Sequence, residues 1–181
     1  MRRWLTYTLL LVALPVSGWS DTPPPPTEYQ VKAAFIYNFM KFVEWPDSAF
    51  ESARTPMTVS VLGTEDFVQT LRSAVAQRLI GDRAVNVVHS ESVADVKRGH
   101  VLYVDAALAD SMGQIYNRTR DAATLVVGDD YRMVGRGATI GFFLKNNKVR
   151  FTIDADLADE SGLRISSRLL KLAQPSPDSE N

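Results

Sequence analysis

Cysteine is absent from the 181-residue sequence, which excludes disulfide bonds, thiolate metal ligands and a lipid-attachment cysteine. Only two histidines are present, so a zinc centre is not expected. Basic residues are not in excess, because 20 Lys and Arg face 21 Asp and Glu and leave a formal charge of −1. A general nucleic-acid binder needs a basic surface, and this balance argues against one. Beyond the N-terminal segment, no run is apolar and long enough to span a membrane.

The N-terminal segment has the three parts of a signal peptide. Residues 1–3 are basic, residues 4–16 form an apolar run, and Gly18 and Ser20 are small residues suited to a cleavage site. We therefore expect residues 1–20 to be a signal peptide that is cleaved on export to the periplasm. A Pro-rich spacer follows at 21–26. We expect one domain over 27–174 and a disordered polar tail over 175–181.

The first helix is predicted over 27–45, with Thr27 as its N-cap and Pro46 as its stop. At helical spacing, Phe35 and Phe39 fall on one broad apolar arc, and Asn38 falls in the middle of it. We therefore expect this helix to be deeply packed, with the Asn38 amide buried and in need of hydrogen-bond partners.

Short β-branched runs alternate with helical patterns after the first helix. The runs lie at 58–62, 85–88, 100–104 and 124–127, and the longer helical patterns lie at 66–79 and 106–120. This alternation indicates parallel βαβ units. Residues 139–145 and 148–153 then flank Asn146 and Asn147, which is a two-residue hairpin signal because Asn tolerates positive φ.

The hairpin register can be checked against its side chains. It places Ile140 opposite Ile153 and Phe142 opposite Phe151, which makes one face wholly apolar. We predict a three-layer α/β domain with about four parallel strands and a C-terminal antiparallel hairpin, and a further helix near the C-terminus over 166–173. An α+β arrangement is the alternative.

Three segments of the chain resemble the YfiR-like family of periplasmic proteins. They are the helix-then-Trp-Pro opening at 28–46, the hairpin at 140–153 and the block at 162–173, with weaker support at 61–63 and 81–85. The resemblance implies a periplasmic regulator that represses an inner-membrane diguanylate cyclase of the YfiN type, and so acts on cyclic-di-GMP signalling and biofilm formation. It also implies an outer-membrane lipoprotein as a second partner, and a tendency to form a homodimer.

One departure from this family concerns redox control. The resemblance implies cysteine pairs that respond to redox state, but this sequence has Val134 and Gly141 where one such pair would stand. A thiol switch therefore cannot operate in this chain.

The candidate partner surface is aromatic and basic. Trp45 ends the first helix, four residues share the non-core face of the hairpin, and two arginines follow in the C-terminal block. By the resemblance, Glu44, Trp45, Glu160 and Arg164 match positions near a ligand or partner pocket, with Glu44 and Glu160 standing where basic residues would be expected. The predicted surface comprises Glu44, Trp45, Phe143, Lys145, Lys148, Arg150, Glu160, Arg164 and Arg168.

Catalytic signals are few. We interpret His89 and His100 as structural or solvated residues. Carboxylates follow the predicted strands at Glu65, Asp66, Asp105, Asp129 and Asp130. A receiver-like Mg²⁺ pocket is one interpretation of them, and helix capping and turn formation is the one we favour.

The sequence thus predicts a periplasmic, protein-binding regulator, with no catalytic residues, cofactor or metal. The alternative is a small-molecule-binding periplasmic sensor whose pocket is lined by Trp45.

Overall fold

The computed structural model describes residues 24–97 and 99–180. The predicted signal peptide at 1–20 lies outside the described residues. The helices are α1 (Glu28–Phe42), α2 (Glu65–Val75), α3 (Met112–Thr119), α4 (Ala155–Glu160) and α5 (Ser167–Leu170). None of the helices in the described ranges is long and apolar enough to cross a bilayer.

The described part of the chain contains nine strands, which lie between these helices. They are β1 (Val43–Glu44), β2 (Met57–Leu62), β3 (Leu79–Ile80), β4 (Arg83–Ser90), β5 (Val101–Val104), β6 (Leu125–Gly128), β7 (Ile140–Lys145), β8 (Lys148–Ile153) and β9 (Arg164–Ile165). Seven of them form one mixed sheet in the order β3-β4-β2-β5-β6-β7-β8, and β1 pairs with β9 in a separate two-stranded ribbon.

The parallel part of the sheet contains one more strand than predicted. β4, β2, β5 and β6 run parallel as expected, and β7 extends them because it pairs in parallel with β6 through Val127–Ile140 and Gly128–Gly141. The estimate of about four parallel strands was therefore wrong in this detail, since the first hairpin strand also belongs to the parallel set.

The hairpin itself is confirmed. Ile140 pairs with Ile153 and Phe142 with Phe151, as the alternation predicted. Asn146 and Asn147 both have positive φ, 52° and 58°, as a two-residue turn of the I′ type requires.

Two buried clusters on opposite faces of the sheet confirm the three layers. Strand alternation sends Tyr103 to the face covered by α1 and α2, and Leu102 to the opposite face, where it packs with Met112 and Ile115 of α3. The larger cluster includes Phe39, which stacks on Phe142 at 5.8 Å between ring centroids. Helix α1 is thereby fixed against the hairpin end of the sheet.

Helix α1 begins as predicted but buries a different face. Thr27 and Gln30 form a reciprocal capping box at its start. The buried face includes Lys32, Ile36 and Phe39, whereas Asn38 is exposed. The prediction that Asn38 is buried was wrong, because the helix is rotated to bring Lys32 beneath the surface.

Four predicted helices are shorter than expected. Helix α1 ends at Phe42, before Trp45, because the chain enters β1 at Val43. Helix α2 ends at Val75, where Gln77 adopts φ 59° and turns the chain into the edge strand β3. Residues Ala106–Ser111 form a 3₁₀ helix before α3, and α5 covers only Ser167–Leu170. The last described residues contain a 3₁₀ turn at Pro177–Glu180, within the segment for which we expected a disordered tail.

Candidate functional site

A cavity of about 340 Å³ lies at the edge of the sheet where β6 ends. Ligand sites in open α/β sheets prefer the carboxyl ends of parallel strands, and the volume is within the usual range for a binding site. The first two turns of α1, the residues after β6, the middle of β7 and the C-terminal segment enclose it. Its lining comprises Glu28, Lys32, Asp129, Asp130, Tyr131, Phe142, Phe143, Leu144 and Pro177. We refer to it as the α1–β7 cavity.

A buried ion pair forms the polar side of the α1–β7 cavity. The Lys32 side chain is only 6% exposed, and its Nζ lies 2.6 Å from Asp129 Oδ1. The Glu28 carboxylate contacts the same amine from one helical turn away. Burial lowers the pKa of Lys32, but the hydrogen bonds that its amine donates to Asp129 and Glu28 outweigh that effect and leave it raised. The amine is therefore charged at neutral pH, and it compensates a carboxylate that is itself mostly buried.

Asp129 is the mostly buried anionic partner of Lys32. Its side chain is 12% exposed, and burial raises its pKa while the hydrogen bond from Lys32 opposes that shift. Tyr103 lies beside it, fully buried and stacked on Phe67 at 4.1 Å between centroids. Burial and the neighbouring Asp129 charge raise the pKa of Tyr103, so the phenol remains protonated. Its hydroxyl has no hydrogen-bond partner of good geometry among the described residues.

The other strand-end carboxylates act mainly as caps and ion-pair partners. Asp105 accepts a hydrogen bond from the Ala107 N–H at 2.9 Å. Asp130 accepts from the Arg132 N–H at 2.9 Å and pairs with its guanidinium, which lowers the pKa of the carboxyl. This arrangement agrees with the capping interpretation for these two residues. Within residues 24–97 and 99–180, no group of three or more His, Cys, Asp or Glu could hold a metal ion.

The hairpin residues of the predicted partner surface are brought together. Phe143 pairs with Arg150 and Lys145 with Lys148, next to the turn. Lys145 and Lys148 are exposed and Arg150 is half-buried, with its Nη1 donating to the Val149 carbonyl at 3.0 Å. Phe143 lies against the edge of the Tyr131 ring and is only 9% exposed. The polar members of this set are therefore accessible to a partner, and Phe143 is not.

The 131–133 turn covers the middle of β7 closely. A Cβ placed on Gly141 would lie 2.6 Å from the Tyr131 Cα and 2.8 Å from a Val134 methyl. Glycine is therefore required at this position for the turn to approach the strand. Val134 and Gly141, which stand at the expected positions of a cysteine pair, are neighbours in the fold.

The remaining predicted residues occupy other places. Glu44 and Arg164 pair across β1 and β9 at 2.7 Å, with both side chains mostly exposed. Arg168 is exposed on α5. Glu160 is exposed and lines a different cavity of about 480 Å³, together with Tyr116 and Arg136.

Trp45 has a structural contact. It is half-buried against the main core, and its Nε1 donates to the carbonyl of His100 at 3.1 Å. The cavities described here are lined by other residues. Trp45 therefore gives no support to a sensor pocket of the kind that the alternative prediction required.

His100 is structural, as predicted. Its Nδ1 accepts from the Thr58 N–H at 2.9 Å, its Nε2 lies 3.1 Å from the Ala49 carbonyl, and its ring stacks on Phe50 at 4.4 Å. Burial lowers the pKa of His100, so the neutral ring accepts at Nδ1 and donates at Nε2. His89 Nε2 lies 2.9 Å from the Gly63 carbonyl, across the neighbouring strand β2.

Sequence reasoning missed Lys32 and Tyr131 and gave Asp129 no specific role. One signal was available: Lys32 follows Glu28 by one turn on a helix whose neighbouring positions are apolar. A cation at such a position predicts a buried carboxylate elsewhere in the fold.

The fold is similar to that of a conserved domain protein from Vibrio cholerae O1 biovar El Tor strain N16961, one of several solved structures that match. The two are 14% identical with a TM-score of 0.55, and the match covers 81% of this chain but only 59% of that one. This likeness supports the fold alone. A search of curated proteins found no match.

The family comparison is more direct. A model described as YfiR/HmsC-like matches residues 29–174, from the second residue of α1 to the residue that bonds to β8 after α5. The match includes the hairpin, the α1–β7 cavity residues from Lys32 to Leu144 and the β1–β9 ribbon. The chain therefore belongs to the YfiR/HmsC-like family.

Proposed function

We propose that this chain is a periplasmic regulatory protein that binds an inner-membrane signalling protein, such as a diguanylate cyclase of the YfiN type, and represses it. The observation that carries the proposal is membership of the YfiR/HmsC-like family, which suggests a periplasmic regulator of a diguanylate cyclase. The family is regulatory rather than catalytic. An outer-membrane lipoprotein that draws the repressor away is the second partner in this proposal.

The end of the β7–β8 hairpin is the proposed contact with the cyclase. Lys145 and Lys148 form a cross-strand pair of like charges next to a two-residue turn, and Arg150 lies two pairs further along, on the same face. Like charges directly opposite one another make no favourable cross-strand pair with each other. Concentrated positive charge on a chain of net charge −1 favours an acidic patch on the partner.

Regulation in this chain must proceed without thiol chemistry. No cysteine is present, and Val134 packs against Gly141 where the family resemblance would put a cysteine pair. We therefore expect the affinity for the partner to be unchanged by oxidants and reductants. Its dependence on salt should be strong, because exposed charges are screened at high ionic strength.

Crosslinking in the envelope tests this proposal. The wild-type chain should recover an inner-membrane signalling protein, and a Lys148→Ala/Arg150→Ala variant should recover several-fold less of it. Arg120→Ala is the matched control, because Arg120 is an exposed basic residue outside the hairpin that pairs with the adjacent Asp121. Equal recovery by the hairpin variant would remove the proposed surface, and failure of the wild-type chain to recover any membrane protein would contradict the proposed function.

A further inference from the structure

The C-terminal segment lies over the mouth of the α1–β7 cavity. The Gln174 N–H donates to the Phe151 carbonyl at 2.9 Å, which fixes the start of the segment to the edge strand β8. Three residues later Pro177 lines the cavity. The Tyr131 hydroxyl then donates to Asp178 Oδ1 at 3.1 Å. The chain thus places a proline and a carboxylate of its own at this site.

The side chains that line the cavity are chemically complementary to the C-terminal segment. Phe142, Phe143 and Leu144 form an apolar wall, in which the two phenylalanines are buried and Leu144 is the accessible side chain, 54% exposed although it belongs to the apolar face of the hairpin. A proline ring can cover such a wall at low entropic cost, since its backbone is already restricted.

The polar groups of the cavity are mostly satisfied from within. Lys32 is paired with Asp129 and Glu28, and Arg132 is paired with Asp130. The Tyr131 hydroxyl differs from them, because its described partner is the exposed carboxylate of the C-terminal segment. Asp130 is the main cause of the raised pKa of Arg132, and the Asp178 charge adds a smaller contribution. The site therefore offers an apolar wall, a hydroxyl donor and a nearby positive charge.

The hydrogen bond between Tyr131 and Asp178 is of a kind suited to reversible closure. It is exposed to solvent, and bonds of this kind contribute little net free energy. Because the segment is anchored at Gln174, its effective concentration at the cavity is on the order of millimolar. A competing ligand therefore has to overcome only a modest closure equilibrium.

We propose that the α1–β7 cavity is a docking site for an extended segment of a partner protein, carrying a proline or similar apolar residue followed by a carboxylate. The C-terminal segment of this chain occupies the same site as an intramolecular competitor. This inference rests on the proposed function only in assuming a protein partner. The cavity would provide a second contact with the partner, distinct from the hairpin. Opening and closing of the C-terminal segment would regulate that contact without thiols.

The apparent affinity for the partner segment then depends on how often the chain's own segment opens. If the site is available for only a fraction of the time, the apparent Kd is the intrinsic Kd divided by that fraction. Weakening the closure should therefore tighten binding, although the substitutions remove contacts rather than add them. A purely structural role for the tail predicts no such gain.

A peptide with the sequence of residues 174–181, labelled at its N-terminus, is the probe. It is titrated into the full chain and into a full-length Pro177→Gly/Asp178→Asn variant, with fluorescence anisotropy as the readout. We expect the variant to bind the peptide roughly two- to tenfold more tightly than wild type, the range that corresponds to one hydrogen bond. Lys171→Ala, an exposed substitution on the same C-terminal region, is the matched control and should bind as wild type does.

Two further variants identify the site of binding. In the Pro177→Gly/Asp178→Asn background, Tyr131→Phe should weaken peptide binding by a similar factor, because it removes the hydroxyl donor. Leu144→Ser should weaken it as well, by reducing the apolar wall. Thermal melting of each variant verifies that the fold is intact before its affinity is interpreted.

The proposal is overturned if the peptide shows no saturable binding to the weakened variant, or if that variant binds it no better than wild type. Peptide binding that is insensitive to Tyr131→Phe and Leu144→Ser would overturn it too. These outcomes are independent of envelope crosslinking. A cavity that binds the peptide while no membrane protein is recovered would contradict the proposed function and leave the docking site standing.

Discussion

Replacing Lys32 with Met tests the electrostatic interpretation of the α1–β7 cavity. Methionine retains a flexible apolar stem and removes the amine, so the packing of α1 changes little while Asp129 loses its cation. Removing one partner of a buried ion pair typically destabilises a protein by about 3–5 kcal/mol. The Asp129 side chain is 12% exposed and the Glu28 side chain 45% exposed, so water can partly solvate both carboxylates. We therefore expect a loss at the lower end of this range, about 3 kcal/mol.

Urea denaturation at pH 7 measures this loss. With a slope of about 2 kcal/mol/M, a change of about 3 kcal/mol lowers the midpoint by about 1.5 M. Lys41→Met is the matched control, since Lys41 lies in the last turn of the same helix with its side chain exposed. We expect its midpoint to remain within about 0.5 M of wild type.

The pH dependence gives a second readout of the same substitution. Burial already raises the folded pKa of Asp129 above 3.8, and loss of Lys32 raises it further. A group whose pKa is raised by folding stabilises the fold when it is protonated, so the deficit of Lys32→Met should shrink as the pH falls from 7 towards 4. In the wild type, the Lys32 contribution is complete below pH 10.5 and is lost only as pH rises through its raised pKa.

The double variant Lys32→Met/Asp129→Leu removes both charges. Because apolar replacement of a whole buried pair is often neutral or stabilising, we expect it to recover most of the lost stability. If the free energy of unfolding of Lys32→Met were within about 1 kcal/mol of wild type at pH 7, Asp129 would not depend on Lys32 for charge compensation. A deficit that does not shrink on acidification would contradict the same dependence.

Three further predictions concern other parts of the fold. Gly141→Ala should lower the free energy of unfolding by about 1–3 kcal/mol, because its Cβ would collide with the Tyr131 backbone. Gly113→Ala, which meets no atom within 4 Å, should cause no loss in the same melting assay. Folding lowers the pKa of His100 below 6.5, so its contribution to stability should be complete above pH 6.5 and should be lost as the pH falls through the folded pKa. The free energy of unfolding, measured from pH 7 to 5, should therefore depend less on pH in His100→Asn, which keeps an acceptor near Nδ1. Arg164→Ala should change stability by under about 1 kcal/mol in urea, because its ion pair is exposed.

Each of these predictions has a distinct contrary outcome. A Gly141→Ala variant that melts with wild type would mean that the 131–133 turn is not held against β7. An unchanged pH profile for His100→Asn would assign the acid sensitivity to other groups. A loss of 2 kcal/mol or more on Arg164→Ala would mean that the β1–β9 ribbon depends on its ion pair, contrary to the usual value for exposed pairs.

Local signals accounted for the parts of the fold that were predicted well. The hairpin was predictable because a turn that needs positive φ at Asn146 and Asn147 and a strict apolar alternation give the same register. The parallel strands were predictable from β-branched runs separated by helical patterns. The extra parallel partner was not, since the pairing of β7 with β6 is a long-range choice that neither strand encodes alone.

The buried face of α1 shows why hydrophobic spacing was insufficient. The spacing alone placed Asn38 inside and ignored Lys32, but burial of Lys32 depends on Asp129, a residue distant in the sequence. The same distinction between local and long-range signals applies to the candidate site. The basic hairpin residues are close in sequence and could be grouped, whereas the α1–β7 cavity combines α1, β7, the residues after β6 and the C-terminal segment.

Repression of a diguanylate cyclase can be measured as the cellular level of cyclic-di-GMP in strains that lack the chain or carry a variant of it. We expect deletion to raise the level, the wild-type chain to restore it, and the exported Lys148→Ala/Arg150→Ala variant to fail to restore it. A level that is unchanged by deletion would contradict a repressor of a diguanylate cyclase.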